Sequence, residues 1–213
     1  MHFANIQVPE YCENLDWFVN QPINVASNLL FVILAVIAYR RAGSRFLRYL
    51  SVTLGTVGLG SAAFHILGGA GTLWMDVVPI YVFILSVLGY WVWLLTRSVR
   101  AAVTTCILFV VAQVILSLYV PSGFANGSIR HIFTLTVLLG LGLWTLRKTS
   151  RQNPRWLVLT VVSYALAIFF RASDQALCDV VQTGVHFLWH VFAASTGFSA
   201  TLFLIQLCRI VKP

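Results

Sequence analysis

The sequence has very little charge. Only 9% of its 213 residues are Asp, Glu, Lys or Arg, whereas soluble domains average about 25%. Hydrophobic residues make up 59% of the chain, and the mean hydropathy is +0.87. This composition excludes a soluble globular domain and predicts an integral membrane protein. Met1 to Gln21 also lacks a basic start followed by an apolar stretch, so we expect no cleavable signal peptide.

Acidic residues are especially scarce: there are six, which leaves a formal charge of +8. A charge of this sign can indicate nucleic-acid binding. Here, however, twelve of the fourteen Lys and Arg residues flank apolar stretches, which is the pattern of cytoplasmic membrane loops. We therefore expect no nucleic-acid partner. The four clusters lie within residues 40–48, 97–100, 147–155 and 209–212.

Seven apolar stretches approach or reach the roughly 20 residues that a transmembrane helix needs. They predict an all-α fold: an integral membrane bundle of seven transmembrane helices. We expect this bundle to be a single domain over 23–210, preceded by a polar N-terminal segment, 1–22. Because the cation clusters follow the first, third, fifth and seventh stretches, the N-terminus is predicted outside and the C-terminus in the cytoplasm. The predicted spans are Ile23–Tyr39, Tyr49–Leu67, Leu73–Leu95, Val103–Val120, His131–Leu146, Trp156–Phe170 and Val185–Ile210.

Two histidines, His186 and His190, lie one helical turn apart in the last apolar stretch. On a helix they share one face and supply two ligands of a tetrahedral zinc site. A hydrogen-bonded histidine pair or an axial haem ligand fits the same spacing. His65 is predicted at the same outer depth, near the end of the second stretch. Three histidines with a fourth position open are typical of a catalytic zinc site.

Two other polar residues are predicted near these histidines. Asp76 is the acidic residue that falls inside a predicted span, so it is the candidate general base and later general acid. Ser61 lies one turn before His65 and is a candidate to stabilise an oxyanion. Each has a structural alternative, since Ser61 can bond the carbonyl four residues back and Asp76 can stabilise a helix N-terminus. His2 and His131 are interpreted as interfacial residues without a role in the site.

Only four cysteines are present. Cys12 and Cys178 precede the first and last spans on the predicted outer face, where disulfides persist. The sequence does not give the distance between them. Cys106 and Cys208 fall within spans and are expected to be inert packing residues.

Four short patterns occur in an order and spacing that resemble the alkaline ceramidases, members of a superfamily of seven-helix membrane hydrolases that includes adiponectin-receptor-like proteins. The resemblance extends from Glu10 to about residue 195. It implies a zinc ion held by His65, His186 and His190, with Ser61 and Asp76 as catalytic residues. It also implies a disulfide between Cys12 and Cys178. The patterns are Glu10-Tyr-Cys-Glu13, Asn24-Val-Ala-Ser-Asn28, Ser61-x3-His65-x10-Asp76 and Asp174-x3-Cys178-x7-His186-x3-His190.

The N-terminal segment departs from the family pattern. The family carries an acidic calcium site there, and Gln21 stands where that site has an acidic residue. Calcium takes six to eight oxygen ligands, several of them carboxylates. The resemblance therefore leaves a calcium site open, whereas zinc is the cofactor that we expect. The residues concerned are Glu10, Glu13, Asp16, Asn20 and Gln21.

The resemblance implies a zinc-dependent intramembrane amidase, a hydrolase acting on linear amide C–N bonds. It would cleave ceramide-like N-acyl lipids into a fatty acid and a sphingoid base or related amine, with the active site toward the periplasmic or luminal half of the membrane. One alternative is a non-catalytic lipid-binding receptor or sensor with a structural zinc. The other is a membrane haem protein with histidine axial ligands. A membrane lipid substrate is the partner we expect, and the sequence does not give the oligomeric state.

Overall fold

A computed structural model of the chain describes residues 11–15, 19–121, 123–149 and 153–211. This part of the chain is helical, with two short 3-10 turns at Phe124–Gly127 and Gln175–Leu177. Seven helical spans are long and apolar enough to cross a membrane, which confirms the predicted all-α architecture and number of spans. The α-helices are α1 (Pro22–Ser27), α2 (Leu29–Arg41), α3 (Arg45–Leu67), α4 (Ala70–Thr96), α5 (Val99–Tyr119), α6 (Ile129–Lys148), α7 (Arg155–Ser173) and α8 (His186–Ile210).

The first span, Pro22–Arg41, consists of two helices, α1 and α2, which meet at Asn28. Proline suits the first turn of a helix because its missing N–H would have no partner there. The cap of α1 comes from Glu13, whose carboxylate accepts the backbone N–H groups of Ile23 at 2.7 Å and Asn24 at 2.8 Å. This cap fixes the polar N-terminal segment to the first span.

Serine caps start two of the other helices. The Ser44 side chain accepts the N–H of Leu47 at 3.3 Å, and the Ser98 side chain accepts that of Ala101 at 3.1 Å. Each bond satisfies one of the N–H groups that the first helical turn leaves without a partner. The tight turns place α2 beside α3 and α4 beside α5 as antiparallel neighbours.

The last helix, α8, is the centre of the bundle, where it packs against α1, α2, α3, α4 and α7. Its C-terminal half carries buried Phe203, Leu204 and Leu207 into the main hydrophobic core. Trp91 packs there too, and its indole N–H donates to Thr145 Oγ1 at 2.8 Å, which satisfies the one polar atom of that ring. The N-terminal half of α8 carries the two histidines of the last predicted span.

Helices α3 and α4 meet backbone to backbone at Gly60. A Cβ atom on Gly60 would lie 1.9 Å from the carbonyl oxygen of Met75. Pro79 lies four residues after Met75 inside α4, and it has no N–H to donate to that carbonyl. The missing side chain of Gly60 lets the two backbones approach here. Ser61 and Asp76, the next residues on each helix, are therefore brought close together.

Candidate metal centre and active site

Three buried histidines converge at one end of the bundle. His65 comes from α3, and His186 and His190 come from the first turns of α8; they are 2%, 2% and 1% exposed. One ligand atom from each lies within 4.8 Å of the others. The Nε2 atoms of His65 and His190 are 3.2 Å apart. In the part of the chain that the structure describes, this is the group of His, Cys, Asp and Glu side chains that could hold a metal ion.

Polar neighbours set the orientation of two of the rings. Nδ1 of His65 lies 2.5 Å from Oε1 of Gln21, and an amide oxygen only accepts hydrogen bonds. Nδ1 of His190 lies 2.8 Å from Oγ of Ser27, whose own hydroxyl donates to the carbonyl of Asn24 at 2.8 Å. Both imidazoles therefore donate from Nδ1 and keep an unprotonated Nε2. Partners of this kind typically orient metal-binding histidines.

The third ring differs from the other two in its hydrogen bonding. Nδ1 of His186 is buried and has no hydrogen-bond partner among the described residues. A buried polar atom usually has a partner, because leaving it without one costs about 1–3 kcal/mol. A buried ring nitrogen without a hydrogen-bond partner is available to bind a ligand.

A buried carboxylate, Asp174, holds the start of α8. Its Oδ1 accepts the N–H groups of Val185 at 2.7 Å and His186 at 2.9 Å. Gly184, with φ of +62°, makes room for it, since a Cβ there would lie 2.3 Å from the same oxygen. Sequence reasoning gave Asp174 no role, although it opens the last of the four family patterns. The structure shows that it positions the backbone of His186.

The structure joins Cys12 and Cys178 in a disulfide with an S–S distance of 1.96 Å. The backbone N–H of Cys12 also donates to Oδ2 of Asp174 at 3.3 Å. The bridge and this hydrogen bond link the N-terminal segment to the loop that leads into α8. The chain at Cys12 is therefore held close to the start of α8.

Tyr11 is the part of that segment that touches the histidines. Its ring centroid lies 4.1 Å from that of His186 and 5.2 Å from that of His65. Burial raises the pKa of Tyr11 to about 12, and the neighbouring Arg171, which forms a side-chain hydrogen bond with it, limits the rise. Arg171 also lies over the ring of Trp189, with Cζ 5.4 Å from its centroid. Neither Tyr11 nor Arg171 was a predicted site residue.

The two predicted catalytic residues line an apolar cavity, together with His190. Ser61 is buried and Asp76 half-buried, and a side-chain hydrogen bond joins them. From Asp76 and His190 the cavity extends along α4 to Val87 and along α8 to Ala200. At 1.5 Å per residue its length is about 15 Å. The cavity is therefore polar at the histidine end and apolar along its depth.

One histidine differs in position from our prediction. His131 lines the cavity, with Nδ1 3.1 Å from the hydroxyl of Tyr164 and its ring centroid 4.6 Å from that of Trp189. The interpretation of His131 as an interfacial residue is therefore wrong, because its depth in the span follows from the sequence but the direction in which α6 faces does not. His2 lies outside the described residues.

Three of the five residues that left a calcium site open lie in the described part of the chain, and each has a contact with the protein. Both carboxylate oxygens of Glu13 accept backbone N–H groups of α1. The side-chain oxygen of Gln21 faces His65, and the backbone carbonyl of Asn20 accepts the N–H of Leu15 at 2.9 Å. Glu10 and Asp16 lie outside the described residues.

Comparison with known proteins gives one family. A protein-family model described as Ceramidase matches residues 9–212, which is nearly the whole chain. The matched range includes the three histidines, Ser61, Asp76 and both cysteines of the disulfide. No curated protein matches the chain significantly.

Proposed function

The chain belongs to the Ceramidase family, and from that premise we propose that it is a zinc-dependent membrane amidase that cleaves the amide bond of ceramide-like N-acyl lipids. The products would be a fatty acid and a sphingoid base or a related amine. The observation that carries this proposal is the arrangement of the site. Three buried histidines form a cluster, and one of them, His190, lines the polar end of an apolar cavity together with Ser61 and Asp76.

The histidine geometry supports zinc as the metal. Zinc–nitrogen bonds are about 2.0–2.1 Å long in tetrahedral sites, so two nitrogen ligands lie about 3.3 Å apart. The Nε2 atoms of His65 and His190 are separated by 3.2 Å. The third donor, His186, has a ring nitrogen without a partner in the described chain. Three neutral imidazoles form a donor set that suits zinc and leaves one position of a tetrahedron open.

The chain's own residues then have separate tasks. When bound, zinc supplies Lewis acidity, which polarises an amide carbonyl and makes water a better nucleophile. Asp76 is placed to accept a proton from the attacking water and to return it to the leaving amine. Ser61 is placed to donate a hydrogen bond to the oxyanion that develops on the carbonyl oxygen. Both residues act at the mouth of a cavity whose walls keep water from the acyl chain.

The cavity also suggests the size of the substrate. An extended hydrocarbon advances about 1.25 Å per carbon when its C–C bonds are about 1.5 Å long. A depth of about 15 Å would then hold an acyl chain of roughly twelve carbons. The mainly apolar lining matches such a chain and offers few partners to a polar peptide.

We also propose the orientation given by the cation clusters. The N-terminus, with segment 1–22, would lie outside, and the C-terminus of the single domain 23–210 would lie in the cytoplasm. The histidines sit at the end of the bundle opposite Arg40, Arg97 and Arg209. This orientation places the site in the outer half of the membrane, where a lipid can enter from the outer leaflet.

The test combines zinc content with lipid hydrolysis on detergent-purified protein. We expect about one zinc per chain and steady release of sphingosine from N-dodecanoylsphingosine. His186→Ala should lose both the metal and the hydrolysis. His131→Asn, which changes a histidine outside the trio, is the matched control and should keep its zinc.

Other outcomes would favour the alternatives. A stoichiometric zinc content without turnover of any N-acyl lipid would contradict the amidase and support a lipid receptor or sensor. A protein without zinc that shows a Soret absorbance band would instead support histidines that bind haem.

A further inference from the structure

A second cavity, an open groove between α2 and α3, lies away from the histidines. Its α3 side includes Ser51 and Gly55, which precede His65 by about three to four helical turns on the same helix. At 1.5 Å per residue they lie about 15–20 Å from that histidine along the helix axis. The groove is therefore separate from the candidate active site.

The walls of the groove are apolar and face outward. Val36 on α2 and Val52 on α3 line it and are 47% and 54% exposed. Its floor is formed by small residues, Ala35 and Gly55, where the two helices pack closely; a Cβ on Gly55 would lie 3.4 Å from that of Ala35. A shallow apolar channel of this kind on a membrane helix pair suits a hydrocarbon chain.

One end of the groove is cationic. Tyr39 and Arg40 line it, and the guanidinium of Arg48 lies over the ring of Tyr39, with Cζ 5.6 Å from the centroid. Arg41 is the last residue of α2 and Arg45 is the first residue of α3, so they flank the turn between these helices. All four arginines are exposed. Four positive charges thus fall within nine residues at the end of an apolar groove.

In the part of the chain that the structure describes, no ion pair with an acidic side chain neutralises these arginines. Two other cations at this end of the bundle already bind the protein, since Arg97 donates to the carbonyl of Val211 and Lys148 donates to that of Leu95. Between Asp16 and Asp76 the sequence contains no Asp or Glu. The positive charge at the α2–α3 turn is therefore available to an external anion.

We propose that the groove between α2 and α3 binds an anionic membrane phospholipid. One acyl chain would lie along Val36 and Val52, and the phosphate would sit between Arg40 and Arg48. Basic pockets between transmembrane helices bind anionic lipid headgroups by this combination of charge and apolar surface. The net negative charge of the lipid matters, because a zwitterionic headgroup brings its own cation toward the arginines.

The test measures lipid binding to the purified full chain by native mass spectrometry. Phosphatidylglycerol and phosphatidylcholine with identical acyl chains are titrated separately. We expect phosphatidylglycerol to bind more tightly. The double variant Arg40→Gln/Arg48→Gln should weaken that binding about 25-fold, at about fivefold for each arginine. Arg100→Gln, an exposed arginine at the start of α5, is the matched charge control and should leave it unchanged.

A second pair of variants tests the groove itself. Val36→Trp should fill the channel and reduce phosphatidylglycerol binding. Val103→Trp, which enlarges a valine 51% exposed on α5, should not. Equal affinity for the two lipids, or equal losses in Arg40→Gln/Arg48→Gln and Arg100→Gln, would overturn the arginine site. Unchanged binding in Val36→Trp would overturn the groove.

Discussion

The contact between Gly60 and Met75 gives the sharpest test of how this fold builds its site. In Gly60→Ala the new Cβ would lie 1.9 Å from the Met75 carbonyl oxygen. Carbon and carbonyl oxygen ordinarily approach to about 3.3 Å, so α3 and α4 must separate by more than 1 Å. The hydrogen bond between Ser61 and Asp76, the next residues along each helix, would be stretched by a similar amount.

Two consequences should be measurable. Overpacking of this kind costs about 1–3 kcal/mol, which should lower the thermal unfolding midpoint in detergent. A displacement of about 1 Å in a catalytic group can cost about 100-fold in rate. We therefore expect kcat/KM per bound zinc to fall by about that factor in a ceramide hydrolysis assay.

The matched control is Gly140→Ala. Gly140 lies inside α6 and is exposed, and a Cβ there meets nothing within 4 Å. Alanine is favoured over glycine in a helix, so this variant should keep its activity and its unfolding midpoint. Wild-type turnover in Gly60→Ala would refute the reasoning, because the site would then not depend on the close approach of these helices.

Three further predictions concern single side chains. Asp76→Asn should keep about one zinc per chain while hydrolysis falls by at least 100-fold; loss of zinc together with activity would instead make Asp76 part of the metal site. Gln21→Ala removes the partner of His65 Nδ1 and should weaken zinc binding about 10- to 100-fold in a chelator competition assay; an unchanged affinity would contradict its orienting role. Asp174→Asn should lower stability by about 1–3 kcal/mol, because the hydrogen bonds from Val185 and His186 lose their charge assistance and an NH2 group replaces the oxygen that accepts the Cys12 N–H; an unfolding midpoint equal to wild type would argue against the cap.

The positions of the spans and the gathering of the three histidines could be predicted from the sequence. The lengths of the apolar stretches predicted the ends of the seven spans to within a few residues. The depth of His65 and His186 in their spans then followed from counting, since both lie near ends on the same side. The structure brings these histidines together with His190, and it places Ser61 beside Asp76.

The contacts around the site could not be predicted in the same way. Gln21, Ser27 and Tyr11 reach the histidines because α1 ends at Ser27 and the disulfide holds the chain around Tyr11 close to the start of α8. Sequence spacing does not give such a path. The cavity position of His131 depends on the rotation of α6, which an apolar stretch with few polar residues does not specify.

The helix at the centre of this bundle is also the last of the seven spans in the order of synthesis. Cys12 and Cys178 are 166 residues apart. At a translation rate of about 5–20 residues per second, Cys178 is synthesised roughly 8–33 s after Cys12. His65 waits in its span for His186 and His190 during much of that time. The first six spans must therefore remain in the membrane without the helix that they surround. Completion of the histidine cluster and formation of the disulfide become late events in biogenesis, and a chain that stops before Cys178 has neither.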